Sequence, residues 1–153
     1  MEMTFKTLPP RRLATIPHRG PYQQIGPVFQ KLGELAGPAG LFARTTGHMI
    51  GLYMDDPRTT PANELRSAAA LPISEEAVLP AGLTEDRLDG GRFACFLHVG
   101  PYEGLPAAWA EAVATFLSSG HRRREGPSVE VYLNDPTQVS PDALQTEIAI
   151  PME

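Results

Sequence analysis

Arg12-Leu-Ala-Thr-Ile-Pro-His-Arg-Gly-Pro-Tyr22 returns 80 residues later as Arg92-Phe-Ala-Cys-Phe-Leu-His-Val-Gly-Pro-Tyr102, in the shared frame Arg-x-Ala-x-x-x-His-x-Gly-Pro-Tyr. Tyr53-Met-Asp-Asp-Pro57 recurs as Tyr132-Leu-Asn-Asp-Pro136 at an offset of 79, and Leu65 to Pro72 matches Leu144 to Pro151 at the same 79. An offset that holds over three segments means that one ordered set of elements occurs twice.

Each copy can be read locally. The apolar stretches Arg12 to His18 and Arg92 to Val99, stopped by Gly-Pro, predict strands of about seven residues. Ile25, Val28, Phe29, Leu32 and Leu35 then fall at helical spacing, as do Leu105, Ala108, Trp109, Ala112, Val113 and Phe116. Gly37 and Gly40 are expected to end the first helix and Gly120 the second, because left-handed backbone angles favour glycine. His48 to Met54 and Val129 to Leu133 predict strands that stop at Asp-Pro, where proline removes the ladder donor. Glu64 to Leu71 and Leu144 to Ile150 predict the closing strands. The order is β-α-β-β, twice, and the fold class is α+β. A βαββ unit of about 75 residues is marginal alone, so two tandem units related by a pseudo-twofold axis are expected, with a ligand cleft where they meet. The chain reads as a single domain over 1–153, with half-repeats at about 4–73 and 90–153. The linker between them, about 74–89, has room for an extra short strand.

Composition narrows the function classes. Of 153 residues, 42% are hydrophobic and 20% charged, which suits a globular core, and 16 Pro with 14 Gly point to short elements. Residues 1–78 carry a net +1 and residues 79–153 a net −6. An acidic half argues against an electrostatic nucleic-acid footprint. Arg122-Arg123-Arg124 between His121 and Gly126 reads as a solvated loop. No apolar run is long enough for a membrane helix and no secretory signal opens the chain, so a cytoplasmic protein is expected. Cys95, the one cysteine, lies in an apolar stretch and reads as a buried packing residue rather than a nucleophile. No cofactor motif or nucleophile motif is visible.

The repeat, with its companion motifs, resembles the GyrI-like family, which includes bacterial DNA gyrase inhibitors and effector-binding domains of multidrug-sensing regulators. The residues that carry the resemblance are His18-x-Gly20-Pro21-Tyr22, Tyr53-x-Asp55-Asp56-Pro57 with Leu65-Arg66, Gly90 to Ala94, His98-x-Gly100-Pro101-Tyr102, Trp109, and Pro127-x-x-Glu130-x-Tyr132. The resemblance implies a concave antiparallel sheet with two main helices and a central cleft that takes flat, apolar, often cationic molecules. It also implies a glutamate in that cleft, matched here by Glu130.

Strand periodicity puts Tyr132 on the same face as Glu130. The repeat-equivalent position of Glu130 is Gly51, so only the second half carries the acid. The candidate ligand-binding residues are Glu130, Tyr132, Trp109, Tyr53, Phe96 and His98. His18 and His98 read as strand-end residues bonding to their turns rather than metal ligands, Tyr22 and Tyr102 as anchors of the strand-to-helix corners, and Asp55-Asp56 as a turn. Three functions follow. The first is a stand-alone small-molecule-binding protein for amphipathic or aromatic ligands, drug-like or toxin, cationic ones included. The second is a hydrolase of electrophilic cyclopropane-bearing DNA alkylators, with Glu130 and Tyr132 catalytic. The third is a protein that contacts DNA gyrase.

Overall fold

The computed structural model describes residues 1–153 and is α+β: eight strands, all paired antiparallel, and two main helices. The chain divides into two compact units, Pro10–Asp89 and Met1–Pro9 with Gly90–Glu153. None of its helices is long and apolar enough to cross a membrane.

In the Pro10–Asp89 unit, β2 (Arg11–Arg19), β3 (Ile50–Tyr53), β4 (Arg66–Ile73) and β5 (Thr84–Leu88) form a sheet in the order β3-β4-β2-β5. Helix α1 (Gly26–Ala36) covers one face. Alternation along β2 and β4 sends Ala14, Ile16, Ala69, Leu71 and Ile73 into a cluster with Leu32 and Ala36 of α1. Leu13, Ala68 and Ala70 point to the other face and are buried too.

The second unit repeats this plan. Strands β6 (Gly91–Val99), β8 (Gln145–Met152) and β7 (Ser128–Tyr132) lie side by side, and α2 (Leu105–Ser118) packs on the face that carries Ala94, Phe96, Ile148, Ile150 and Met152. Both helices begin with a proline in the first turn, where its missing N–H leaves no gap in the ladder. The corners match in detail: Gly20 N–H donates to Leu65 O and Gly100 N–H to Leu144 O, each at 2.8 Å. The φ angles there, 130° and 139°, are glycine territory.

Several expectations are corrected. The segment before Arg12 holds a strand, β1 (Thr4–Leu8), which pairs with β6 of the second unit and not with its own half-repeat. The linker strand is real, and β5 pairs with β2 as β1 does with β6. A five-residue edge strand, Thr-Phe-Lys-Thr-Leu, mostly exposed and without strict apolar alternation, carries no pattern that announces it. Glu64 belongs to a short 3-10 turn rather than to β4. Gly37 keeps right-handed angles, and the left-handed residue is Gly40 with φ 72°; Gly120, with φ 80°, behaves as expected. Two of the three consecutive arginines hold structure: Arg124 lies 5.1 Å above the Phe93 ring and donates to Met152 O, and Arg123 donates to Gly126 O and Ser128 Oγ.

Asp55 and Asn134 show how the repeat conserves a bond while changing a charge. Asp55 Oδ2 accepts from Arg66 N–H at 2.8 Å, and Asn134 Oδ1 accepts from Gln145 N–H at 2.9 Å. Asp55 also pairs with the Arg66 guanidinium at 2.8 Å, which, with the backbone bond, holds its carboxyl below the usual range. A depressed native pKa adds stability above the unfolded carboxyl value that disappears as pH falls through the native one. The Asp55→Asn protein keeps the backbone bond, so it should lose less stability than wild type when urea unfolding is followed from pH 6 down to about pH 3. Equal acid losses in the two proteins would show that the ion pair contributes nothing.

Candidate functional site

The site grows from β7 and α2. Glu130 pairs with Ile148 and Tyr132 with Thr146 across the β7–β8 ladder, so both side chains lie on the face that α2 covers. His98 is the next neighbour of Thr146 on β6. Trp109, one turn into α2, reaches down to the sheet.

Glu130 is only 5% exposed. Trp109 Nε1–H donates to Glu130 Oε2 at 2.6 Å, and the Tyr132 hydroxyl donates to Oε1 at 2.8 Å. Burying a carboxylate is costly, and each hydrogen bond to a charged group offsets about 1.5–3 kcal/mol. Tyr102 packs edge-on against Tyr132, with ring centroids 5.9 Å apart at 72°. Burial pushes the Tyr102 hydroxyl pKa up, and the negative charges of Asp135 and Glu130 add to it. Thr146, fully buried, has a hydroxyl with no partner within the protein.

Three of the candidate residues, Glu130, Tyr132 and Trp109, thus form one bonded cluster. Phe96 shares their sheet face but is 1% exposed and belongs to the core under α2. His98 turns its Nε2 to Pro101 O at 3.0 Å, and His18 does the same to Pro21 O at 3.3 Å, as a turn-bonding histidine should. Tyr53 lies in the other unit, where it packs on Tyr22 at 4.9 Å and 75°.

Tyr102 differs from its repeat counterpart in what its hydroxyl does. Its counterpart Tyr22 is a true corner anchor: the hydroxyl donates to Asp55 O at 2.7 Å and accepts from Asp55 N–H at 3.0 Å. The Tyr102 hydroxyl makes no hydrogen bond within the protein, while its ring packs on Tyr132 as that of Tyr22 packs on Tyr53. No sequence signal separates the two tyrosines, because both stand in the same Gly-Pro-Tyr frame. Asp55 and Asp56 serve the turn, Asp55 bonded to Arg66 and Asp56 to Arg58. Cys95 is buried, and loss of solvent pushes its thiol pKa up to about 11, so it stays a protonated packing residue.

The model of the family described as "GyrI-like small molecule binding domain" matches residues 1–153. The chain belongs to the GyrI-like family. Among curated relatives, it is 30% identical over 141 residues to a DNA gyrase inhibitor of Yersinia enterocolitica, covering 87% of this chain and 88% of that protein. Among solved structures, its fold is similar to SAV2435 bound to tetraphenylphosphonium, with a TM-score of 0.75 and 16% identity, covering 100% of this chain and 94% of the other. A hydrolase from Listeria innocua shares the fold at a TM-score of 0.66 and 16% identity, covering 99% and 92%.

The Trp109 contact with the acid can be tested by substitution. Trp109→Phe keeps an aromatic ring of smaller size and removes the N–H that donates to Glu130 Oε2. This should lower unfolding free energy in urea by about 1–3 kcal/mol. A loss indistinguishable from zero would mean that the bond does not support the carboxylate.

Proposed function

We propose that this GyrI-like domain binds aromatic or amphipathic cations at the Glu130 cluster. The observation that carries the reading is a carboxylate 5% exposed, held by Trp109 and Tyr132 and flanked by the Tyr102 ring. Trp109, Tyr102 and Tyr132 are only half-buried, so part of each ring reaches the surface beside an acid that stays screened from water. A flat cation gains from the negative charge and from ring quadrupoles, the latter about 0.5–2 kcal/mol per good contact. The other unit supports the reading by contrast: it has Tyr22, Tyr53 and Phe29 at matching positions, but Gly51 in place of the acid.

The geometry speaks for holding a ligand rather than turning it over. The Tyr132 hydroxyl donates to Glu130, and both carboxylate oxygens accept hydrogen bonds that favour the charged form and lower its basicity towards water. A cytoplasmic location is part of this reading, in keeping with a buried free Cys95.

Trp109 is the chain's one tryptophan, so its fluorescence reports on the site directly. Titrating tetraphenylphosphonium, the molecule held by the structural neighbour SAV2435, should change that emission saturably. Glu130→Gln should weaken binding by about tenfold or more, the effect of removing one charged partner. Equal affinity in both proteins would refute the acid's role.

A second reading, contact with DNA gyrase, is supported by the Yersinia enterocolitica relative. Excess protein should then lower supercoiling by purified gyrase; unchanged supercoiling would remove that reading.

A further inference from the structure

The Pro10–Asp89 unit carries a depression of about 400 Å³ lined by Pro17, His18, Arg19, Met54, Arg66 and Ser67. Its lining residues all belong to that unit and include none of Glu130, Tyr132, Trp109 and Tyr102. Alternation decides what faces it. Pro17 and Arg19 of β2, and Arg66 of β4, point away from α1, because their neighbours Ile16 and Ala69 belong to the cluster under that helix. Met54 follows β3 and donates its N–H to Arg66 O at 3.1 Å, which places it at the same end of the ladder. His18 and Ser67 point to the α1 side and offer this depression their backbone.

Arg19 and Arg66 are direct cross-strand partners. Like charges directly opposite on one face repel, and an antiparallel pair normally avoids them. Arg66 is held in place by Asp55 through Nε at 3.1 Å and Nη2 at 2.8 Å. Arg19 is exposed and makes no hydrogen bond or ion pair within the protein. With one carboxylate against two guanidiniums the cluster keeps a net positive charge, between the apolar walls of Pro17 and Met54.

The other repeat shows that this is not a requirement of the fold. The positions equivalent to Pro17, Arg19, Met54 and Arg66 are Leu97, Val99, Leu133 and Gln145, all uncharged. The scaffold tolerates neutral residues at every one of these places; the ion pair with Asp55 accounts for Arg66, and neither strand pairing nor packing explains Arg19 opposite it.

We propose that this depression is a second binding site, specific for small organic anions: a carboxylate, sulfonate or phosphate group bridging Arg19 and Arg66, with an apolar body against Pro17 and Met54. Guanidinium forks suit oxyanions because their N–H groups match two oxygens at once. A volume of about 400 Å³ is within the range of small-molecule sites.

The test is calorimetric titration of the full chain with 1-naphthalenesulfonate, with inorganic sulfate in parallel. Wild type should bind the naphthalenesulfonate saturably and more weakly as salt is added, and should bind sulfate less well. Arg19→Gln should weaken the naphthalenesulfonate by about tenfold while leaving thermal stability and tetraphenylphosphonium binding unchanged, since Arg19 bonds to nothing in the fold. Glu130→Gln should leave naphthalenesulfonate binding intact. Absence of saturable binding by wild type, or equal affinity in Arg19→Gln, would overturn the site. Equal affinity for sulfate and naphthalenesulfonate would overturn its amphipathic character.

Discussion

The register of β7 on β8 is the constraint on which the candidate site depends. Because it sets Glu130 opposite Ile148 and Tyr132 opposite Thr146, both side chains face α2 and come within reach of Trp109. A slip of one residue would turn the acid and its tyrosine to the other face and bring Val129 and Val131 under the helix. Such a slip would also take Val129, 1% exposed on the opposite face, out of its buried place. Apolar packing thus places a carboxylate that apolar packing alone would exclude, and two hydrogen bonds make its burial tolerable.

The two units use one plan for different chemistry. Glycine corners, turn-bonding histidines and the side-chain oxygen that accepts from the first amide of β4 or β8 occur in both. What differs is a handful of side chains: Gly51 against Glu130, Asp55 against Asn134, Arg19 and Arg66 against Val99 and Gln145. These exchanges leave backbone pairing unaltered, so charge can vary on a scaffold whose stability comes from elsewhere. The first unit gathers arginines on the face away from its helix; the second gathers an acid and aromatic rings on the face beneath its helix.

Much of this was legible in residues 12–22 and 92–102. Repetition revealed the element order, and helical spacing identified Leu32, Ala108, Ala112 and Phe116 as core positions. The shared face of Glu130 and Tyr132 followed from strand period. Missed were β1, whose residues are exposed and lack alternation, its exchange onto β6, and the divergence of Tyr102 from Tyr22. Arg124 was read as solvated because a cation above a ring leaves no mark in linear order.

The amino-acid sequence by itself determined the duplicated α+β plan, the family, and which half carries an acid, because those rest on local periodicity and on residue identity. Only the tertiary structure decided that Trp109 and Tyr132 both bond Glu130, that Arg19 faces Arg66, and that β1 completes the second unit. Each of these joins residues distant in the chain or separates equivalent ones. Such choices are made by register and by the competition of side chains for partners, neither of which a linear pattern records.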